Sequence, residues 1–193
     1  MGNCKAVFLD RDGTINFDPG YLGDPNKVRL LPGVDTGIKF LRNDLNFKII
    51  VVSNQSGITR GLISEADVKS VNSRINELLA EKNTRIDAFY FCPYHPEFDP
   101  PEKVKCRKPS PEMIFTAAED FEIDLTQSYL VGDALSDIEA GNKAGVKTIL
   151  LNNERKYDKI NILHLGKKTP NFVATNFSDA CTFIKNDLLG NIN

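Results

Sequence analysis

The sequence lacks the features that mark membrane proteins and nucleic-acid-binding proteins. No apolar run approaches the roughly 20 residues that a membrane-spanning helix needs, and tryptophan is absent. Because 24 Lys and Arg residues stand against 26 Asp and Glu residues, the formal net charge is −2 and there is no basic surplus. The 41% hydrophobic and 26% charged residues are typical of a globular protein. We therefore expect one domain over residues 1–193 that binds neither membranes nor nucleic acids.

Cysteine is scarce as well. The four cysteines, Cys4, Cys92, Cys106 and Cys181, are scattered along the chain. The amino-terminal segment has no long apolar stretch of the kind that directs secretion. This combination is typical of proteins that stay in a reducing compartment. The sequence therefore predicts a cytoplasmic protein without structural disulfide bonds.

Short β-rich apolar runs alternate with longer segments of helical periodicity. Continuous apolar runs of this kind are typical of parallel strands that are buried on both faces. The predicted strands are Ala6–Leu9, Phe47–Val52, Ile86–Phe91, Tyr129–Val131, Val146–Leu151 and Asn171–Thr175. The predicted helices are Val34–Leu45, Ser64–Glu81, Pro111–Phe121, Ser136–Ala144 and Ser178–Leu189. The alternation predicts an α/β fold with a doubly wound, Rossmann-like parallel sheet.

The residues that directly follow the strands are the candidates for function, because such sheets bind ligands at the carboxyl ends of their strands. Asp10 and Asp12 follow the first strand, and side chains two residues apart point to the same side. Two neighbouring carboxylates repel each other unless a cation or a shared proton joins them. Oxygen ligands of this type suit Mg²⁺. On these residues alone, a turn that merely closes the strand is the alternative.

Three further strand ends or helix starts carry polar groups. The segment Ser53–Gly57 can present backbone N–H groups to an anion or form an ordinary polar turn. Arg107 and Lys108 precede a predicted helix, where they suit a phosphate or form a solvated basic turn. Asp133 and Asp137 follow the fourth strand, where acids also favour a helix N-terminus. Together these groups predict a site that combines carboxylates, a metal ion and a phosphate.

The order of these motifs resembles the four-motif signature of the haloacid-dehalogenase-like phosphohydrolases. The matching residues are Asp10-x-Asp12-Gly13-Thr14, Ser53-Asn54, Lys108 and Gly132-Asp133-x-x-x-Asp137. Further blocks are similar to the family of D-glycero-D-manno-heptose-1,7-bisphosphate 7-phosphatases. These blocks are Asp10–Asn16, Gly20-Tyr21, Ser53–Ile58, Arg60-Gly61, Cys92-Pro93 and Cys106–Pro109. The related histidinol-phosphate phosphatases share Asp10–Thr14 and Cys106–Pro109, but their usual pattern lacks the Ser56-Gly57-Ile58-x-Arg60-Gly61 run that is present here, so they are the alternative.

The resemblance implies a Mg²⁺-dependent phosphatase that removes the 7-phosphate of the heptose bisphosphate through an aspartyl-phosphate intermediate. It also implies a cytoplasmic enzyme of heptose and lipopolysaccharide biosynthesis that acts on a small phosphorylated sugar, and we expect a monomer. Asp10 would be the nucleophile, Asp12 the general acid and base, and Lys108 the cation that offsets charge. Mg²⁺ would be held by Asp10, the backbone of Asp12, Asp133 and Asp137. The positions implied to contact substrate are Asp18, Gly20, Tyr21, Ser53, Asn54, Gln55, Ser56 and Arg107.

Two departures within this resemblance lead to further expectations. Neither the connection after the first motif nor the region between the second and third motifs is long enough for a separate cap domain, which predicts an open site. Many relatives hold a structural zinc ion through a Cys-x-His pair and a Cys-x-Cys pair. Here the pairs read Cys92-Pro93-Tyr94 and Val104-Lys105-Cys106, so two of four ligands are missing. We therefore expect a zinc-free loop, with Mg²⁺ as the required metal.

Two other classes of function compete with this interpretation. A phosphosugar-binding protein without activity would not need both Asp10 and Asp12. A polynucleotide 3′-phosphatase would share the chemistry, but it would need the basic stripe that this sequence lacks. Both alternatives are therefore ranked below a sugar phosphatase.

Overall fold

A six-stranded parallel sheet with helices on both faces forms the body of the protein. The computed structural model describes residues 4–152, 157 and 165–190. The strands are β1 (Ala6–Leu9), β2 (Lys48–Asn54), β3 (Ala88–Cys92), β4 (Tyr129–Gly132), β5 (Lys147–Leu151) and β6 (Phe172–Ala174). Their order in the sheet is β3-β2-β1-β4-β5-β6, and every neighbouring pair is parallel. The predicted doubly wound α/β fold is thereby confirmed.

Helices connect the strands and cover the sheet. They are α1 (Val34–Lys39), α2 (Glu65–Ala80), α3 (Pro101–Val104), α4 (Glu112–Asp120), α5 (Leu135–Ala144) and α6 (Phe177–Leu188). The predicted helix Val34–Leu45 changes type after Lys39 and continues as a π-helical turn over Phe40–Asp44. Within the described residues, no helix has both the length and the apolar character needed to cross a bilayer.

The two faces of the sheet bury separate apolar cores. In β1, Val7 and Leu9 belong to one core and Ala6 and Phe8 to the other, because successive side chains of a strand point to opposite faces. The first core also contains residues of α1, α2 and α6, whereas the second contains residues of α4 and α5. The strands are therefore apolar throughout, and their polar groups are confined to their ends.

The winding of the chain reverses between the adjacent strands β1 and β4. From β1 the chain proceeds through β2 to β3 on one side, and from β4 it proceeds through β5 to β6 on the other. The connections therefore diverge at this point and leave a crevice at the carboxyl ends of the strands. The crevice is where the sequence predicts the site.

A disulfide bond joins Cys92 and Cys106, so the expectation of a protein without structural disulfides is wrong. Cys92 is the last residue of β3, and Cys106 stands in the connection that leads to α4. This connection turns back through the short helix α3, which brings the two Cα atoms within 5.5 Å of each other. Cys106 packs there against the apolar core that contains Cys92, a contact that the spacing of the cysteines in the sequence does not reveal. Cys4 and Cys181 are free.

Candidate active site

A cavity of about 480 Å³ lies at the carboxyl ends of β1, β2 and β4. With one exception, Arg107, every residue that the sequence predicts for the site lines it. The lining residues are Asp10, Asp12, Asp18, Gly20, Tyr21, Ser53, Asn54, Gln55, Ser56, Gly57, Lys108, Asp133, Ala134, Ser136 and Asp137. The sequence does not predict Gly57, Ala134 and Ser136 as site residues, although each lies within or beside a predicted motif. The fold thus brings four segments that are distant in sequence to one place.

The charge of the cavity is strongly negative. Five aspartates line it, whereas Lys108 is its one basic lining residue among the described part of the chain. A phosphate ester is itself an anion, so it would be repelled by these carboxylates unless further positive charge is present. The electrostatics of the cavity therefore favour a bound cation before an anionic ligand enters.

Lys108 lies between two carboxylates at the base of the cavity. Its Nζ is 2.7 Å from Asp10 Oδ1 and 2.7 Å from Asp137 Oδ1, and it also donates to the backbone carbonyl of Val52 at 2.7 Å. Burial by itself lowers the pKa of Lys108, but the two carboxylates outweigh burial and raise that pKa above its ordinary value. Burial raises the pKa of Asp10 to about 6, even though the charge of Lys108 opposes this. Lys108 is therefore a fixed cation beside Asp10.

Three carboxylates form a cluster that can hold a metal ion. Asp10, Asp133 and Asp137 each offer an oxygen atom, and these atoms lie within 4.8 Å of one another. Oxygen-only donors with several negative charges fit Mg²⁺. Two glycines permit the close approach: a Cβ at Gly13, whose φ is +80°, would lie 2.7 Å from Asp133 Oδ2, and a Cβ at Gly132 would collide with Asp137. Side chains at either glycine would therefore displace the cluster.

The Asp12 carboxylate is held outside this cluster by four hydrogen bonds. Oδ2 accepts from Arg11 Nη2 at 2.8 Å, from Arg11 Nε at 3.1 Å and from Gln55 Nε2 at 2.8 Å, and Oδ1 accepts from Asn16 Nδ2 at 2.9 Å. Arg11 is only 1% exposed, and its Nη1 donates to Asn72 Oδ1 on α2. Sequence reasoning did not single out Arg11 or Asn72. A signal was present for Asn72, a polar residue on the buried stripe of α2.

The residues at the carboxyl end of β2 and directly after it serve mainly to fix their neighbours. Asn54 accepts from the backbone N–H of Lys108 at 3.0 Å and donates to its carbonyl at 3.1 Å. Gln55 donates through Nε2 both to Asp12 and to Ser53 Oγ. Ser53 and Gln55 are nearly buried, whereas Ser56 is half-buried at the cavity wall. The side chains of Asn54 and Gln55 thus act on protein groups in this structure.

Two arginines do not line the cavity but stand close in sequence to residues that do, Arg107 before Lys108 and Arg60 after Gly57, and we call them the rim arginines. Arg107 is half-buried, and its pKa is lowered by burial and by the nearby charge of Arg60. Arg60 contacts His95 at 3.2 Å and lies 4.8 Å from the centre of the Phe98 ring. Arg107 donates to the carbonyl of Tyr94 at 3.3 Å. The rim therefore carries two neighbouring cations that the connection between β3 and α4 supports.

The residues of this connection do not fit a structural zinc ion. The sulfur atoms of Cys92 and Cys106 are bonded to each other, so neither is a thiolate ligand. His95 contacts Arg60 through Nε2, and its Nδ1 accepts from the backbone N–H of Glu97. In the described part of the chain, the cluster of Asp10, Asp133 and Asp137 is the only group of three or more potential ligands. Two cysteines in a disulfide do not replace four zinc ligands.

Comparisons with known proteins agree with this geometry. The model of the family described as HAD-hydrolase-like matches residues 105–180. A D-glycero-D-manno-heptose-1,7-bisphosphate 7-phosphatase from Chlorobaculum tepidum is 43% identical over 160 residues, which cover 78% of this chain and 80% of that protein. The D-glycero-beta-D-manno-heptose-1,7-bisphosphate 7-phosphatase of Escherichia coli K12 is 39% identical and covers 77% of this chain and 79% of its own.

A solved structure resembles almost the whole chain. The D,D-heptose 1,7-bisphosphate phosphatase from B. bronchiseptica, determined in complex with magnesium and phosphate, superposes with a TM-score of 0.82. It is 28% identical and covers 95% of this chain and 99% of its own.

Proposed function

The chain belongs to the haloacid-dehalogenase-like phosphohydrolases, in the family of the heptose-1,7-bisphosphate 7-phosphatases, and we propose that it removes the 7-phosphate of D-glycero-D-manno-heptose 1,7-bisphosphate. The observation that carries the proposal is the position of Asp10. This carboxylate is paired with the buried Lys108 and shares a metal-binding cluster with Asp133 and Asp137. A nucleophile, a fixed cation and a metal site therefore meet at one point.

In the first half of the reaction, Asp10 attacks the phosphorus atom. A bond forms between a carboxylate oxygen of Asp10 and phosphorus, and the bond between phosphorus and the sugar oxygen breaks. The carboxyl group of Asp12 gives its proton to that sugar oxygen, which leaves as a hydroxyl group. Lys108, fixed 2.7 Å from Asp10, offsets the negative charge that gathers between nucleophile and phosphoryl group. The product of this half is an aspartyl-phosphate and the heptose 1-phosphate.

In the second half, water hydrolyses the aspartyl-phosphate. The Asp12 carboxylate takes a proton from the water as its oxygen attacks phosphorus, and the bond between Asp10 and phosphorus breaks. Inorganic phosphate leaves, and Asp10 is restored as a carboxylate. The hydrogen bonds from Arg11, Asn16 and Gln55 hold Asp12 beside Asp10 and so limit its freedom to rotate away between the two steps.

Mg²⁺ fits the residues that are present. Asp10, Asp133, Asp137 and the backbone of Asp12 would hold it, and it would neutralise the charge of the transferred phosphoryl group. The five aspartates of the cavity make such a cation necessary for an anionic substrate to bind. Asp137 also accepts from the backbone N–H of Ala134 at 3.0 Å, so the site is tied to the start of α5.

The preference for a bisphosphate rests on the rim. Arg60 and Arg107 supply positive charge beyond the cavity, where a second phosphate of the substrate would lie. Charge-assisted hydrogen bonds contribute about 1.5 to 3 kcal/mol each, so either arginine would favour a bisphosphate over a monophosphate. Asp18, Gly20 and Tyr21 also line the cavity, and the Asp18 carboxylate accepts from the N–H of Gly20.

The proposal is tested by phosphate release from three substrates with Mg²⁺ present. Heptose 1,7-bisphosphate should be hydrolysed with a higher kcat/KM than histidinol phosphate, and a 3′-phosphorylated oligonucleotide should be the poorest substrate. Asp10→Asn, assayed in parallel, controls for contaminating phosphatases because it removes the nucleophile. Equal or better hydrolysis of histidinol phosphate would assign the chain to that activity instead.

A further inference from the structure

The disulfide between Cys92 and Cys106 closes a loop whose residues contact the two rim arginines, Arg60 and Arg107. Residues 93–105 lie inside this loop, and Arg107 follows it directly. The Arg107 backbone N–H donates to the carbonyl of Val104 at 2.8 Å, and its guanidinium donates to the carbonyl of Tyr94. Both carbonyl groups that accept hydrogen bonds from Arg107 therefore belong to the loop that the disulfide closes.

Arg60 depends on the same loop, although it stands more than thirty residues earlier in the chain. Its guanidinium carbon lies 4.8 Å from the centre of the Phe98 ring. Its Nη2 atom lies 3.2 Å from His95 Nε2 and 3.6 Å from Glu97 Oε2. His95, Glu97 and Phe98 all lie between the two bonded cysteines. The loop thus fixes both cations of the rim.

The catalytic Lys108 is anchored independently of the disulfide. Asn54 on β2 pairs with both backbone polar groups of Lys108, and Val52 accepts from its Nζ. Lys143 on α5 additionally donates to the carbonyl of Pro109 at 3.0 Å. These contacts come from β2 and α5 and not from residues 93–105. Opening the loop therefore leaves the chemical groups in place.

We propose that the Cys92–Cys106 disulfide is a redox-sensitive determinant of substrate recognition, which positions Arg60 and Arg107 for the second phosphate without contributing to the chemical step. This proposal rests on the proposed function, because that function supplies a substrate with a second phosphate. The disulfide takes the place of a metal ion as the crosslink of this loop, since the loop does not provide four zinc ligands.

A dithiol opens the Cys92–Cys106 bond by thiol–disulfide exchange. A thiolate of the dithiol attacks Cys106, which is partly exposed, and displaces the Cys92 thiolate from the buried end of β3. The second thiol of the reagent then displaces Cys106, which leaves two protein thiols and a cyclic disulfide of the reagent. Two electrons pass from the dithiol to the protein, and the reverse exchange with an oxidised dithiol restores the bond.

The test compares the oxidised protein with the same protein after reduction by dithiothreitol, with Mg²⁺ present in both. Reduction should lower kcat/KM for heptose 1,7-bisphosphate about tenfold, chiefly through KM, since tenfold is the order expected when one charge-assisted hydrogen bond is lost. For p-nitrophenyl phosphate, which has no second phosphate, kcat/KM should change less than about twofold, because no contact with Arg60 or Arg107 is lost.

Matched variants separate this disulfide from other effects of the reductant. Cys106→Ser should behave like the reduced protein and no longer respond to dithiothreitol. Cys181→Ser should respond as the wild type does, because Cys181 is free and buried, and burial raises its pKa to about 12. Equal kcat/KM for the bisphosphate before and after reduction, or an equal loss for both substrates, would overturn the proposal.

Two further measurements keep the inference separate from the proposed function. Mass spectrometry should show Cys92 and Cys106 linked in the oxidised protein; free cysteines with near-stoichiometric zinc would overturn the proposal. Hydrogen exchange of residues 93–107 should accelerate on reduction, because the N–H of Arg107 is bonded to Val104. If the heptose bisphosphate is not hydrolysed, the proposed function fails, whereas unchanged exchange on reduction refutes the role of the disulfide.

Discussion

Replacing Lys108 with Met should destabilise the protein as well as slow the reaction. The Lys108 ammonium is nearly buried and lies 2.7 Å from one oxygen each of Asp10 and Asp137. At an effective dielectric constant of about 20, each of these pairs contributes an attraction of about 6 kcal/mol before the cost of desolvation. Removing one partner of a buried ion pair typically costs about 3 to 5 kcal/mol, because the remaining charges are left buried without a partner.

The expected loss can be measured as a shift of the thermal unfolding midpoint. For a domain of this size, 1 kcal/mol corresponds to about 2 to 4 °C, so Lys108→Met should lower Tm by about 6 to 20 °C at pH 7 without divalent metal. Lys105→Met is a matched control from the same segment, since Lys105 is exposed and its replacement should change stability by less than about 0.5 kcal/mol.

The sign of the pH dependence provides a second check on the same variant. Because Lys108 lowers the pKa of Asp10, its removal moves that pKa upward from about 6. A protonated Asp10 no longer repels Asp137, so the difference in Tm between Lys108→Met and the wild type should be smaller at pH 5 than at pH 7. A Tm for Lys108→Met within 2 °C of the wild type at pH 7 would refute the reasoning, since about 2 °C corresponds to less than 1 kcal/mol.

Three further outcomes are expected. Asp10→Asn should lower kcat at least about a thousandfold while circular dichroism shows an unchanged fold, because the nucleophile is lost; substantial activity in this variant would argue against an aspartyl-phosphate. Mg²⁺ affinity, measured by calorimetry, should be full above pH 6 and fall as the pH decreases through 6, because protons compete for Asp10, whose pKa is raised to about 6 in the metal-free protein. Asn54→Ala should lower kcat with little change in KM and cost about 1 to 3 kcal/mol in urea unfolding, because both backbone groups of Lys108 lose their partner; an effect on KM alone would assign Asn54 to substrate binding.

The sequence was most informative where backbone pattern and local chemistry coincide. Apolar runs such as Ala6–Leu9 predict buried parallel strands, since only a strand covered on both faces buries every successive side chain. Strands so covered can carry polar groups only at their ends, and this places Asp10 and Asp133 at one edge of the sheet. The class of fold and the edge of the sheet that holds the candidate site could therefore be predicted without coordinates.

The sequence was less informative about which polar groups act on one another. The sequence predicts that Asn54 and Gln55 lie at the cavity, but not that their side chains bind Lys108 and Asp12. Arg11 was not singled out, although it donates twice to Asp12. These partners depend on side-chain direction and on distances between segments far apart in the chain, which periodicity does not encode.

The residues alone determined the parallel sheet, the acidic strand ends and the absence of room for a cap, because these follow from periodicity and from segment length. Only the tertiary structure decided that Cys92 and Cys106 are bonded and that His95 contacts Arg60 instead of a metal ion. The difference has a physical cause. Local patterns act between neighbours along the chain, whereas this disulfide joins residues 14 apart, and Tyr94 and Cys106 pack against the apolar core that contains Cys92.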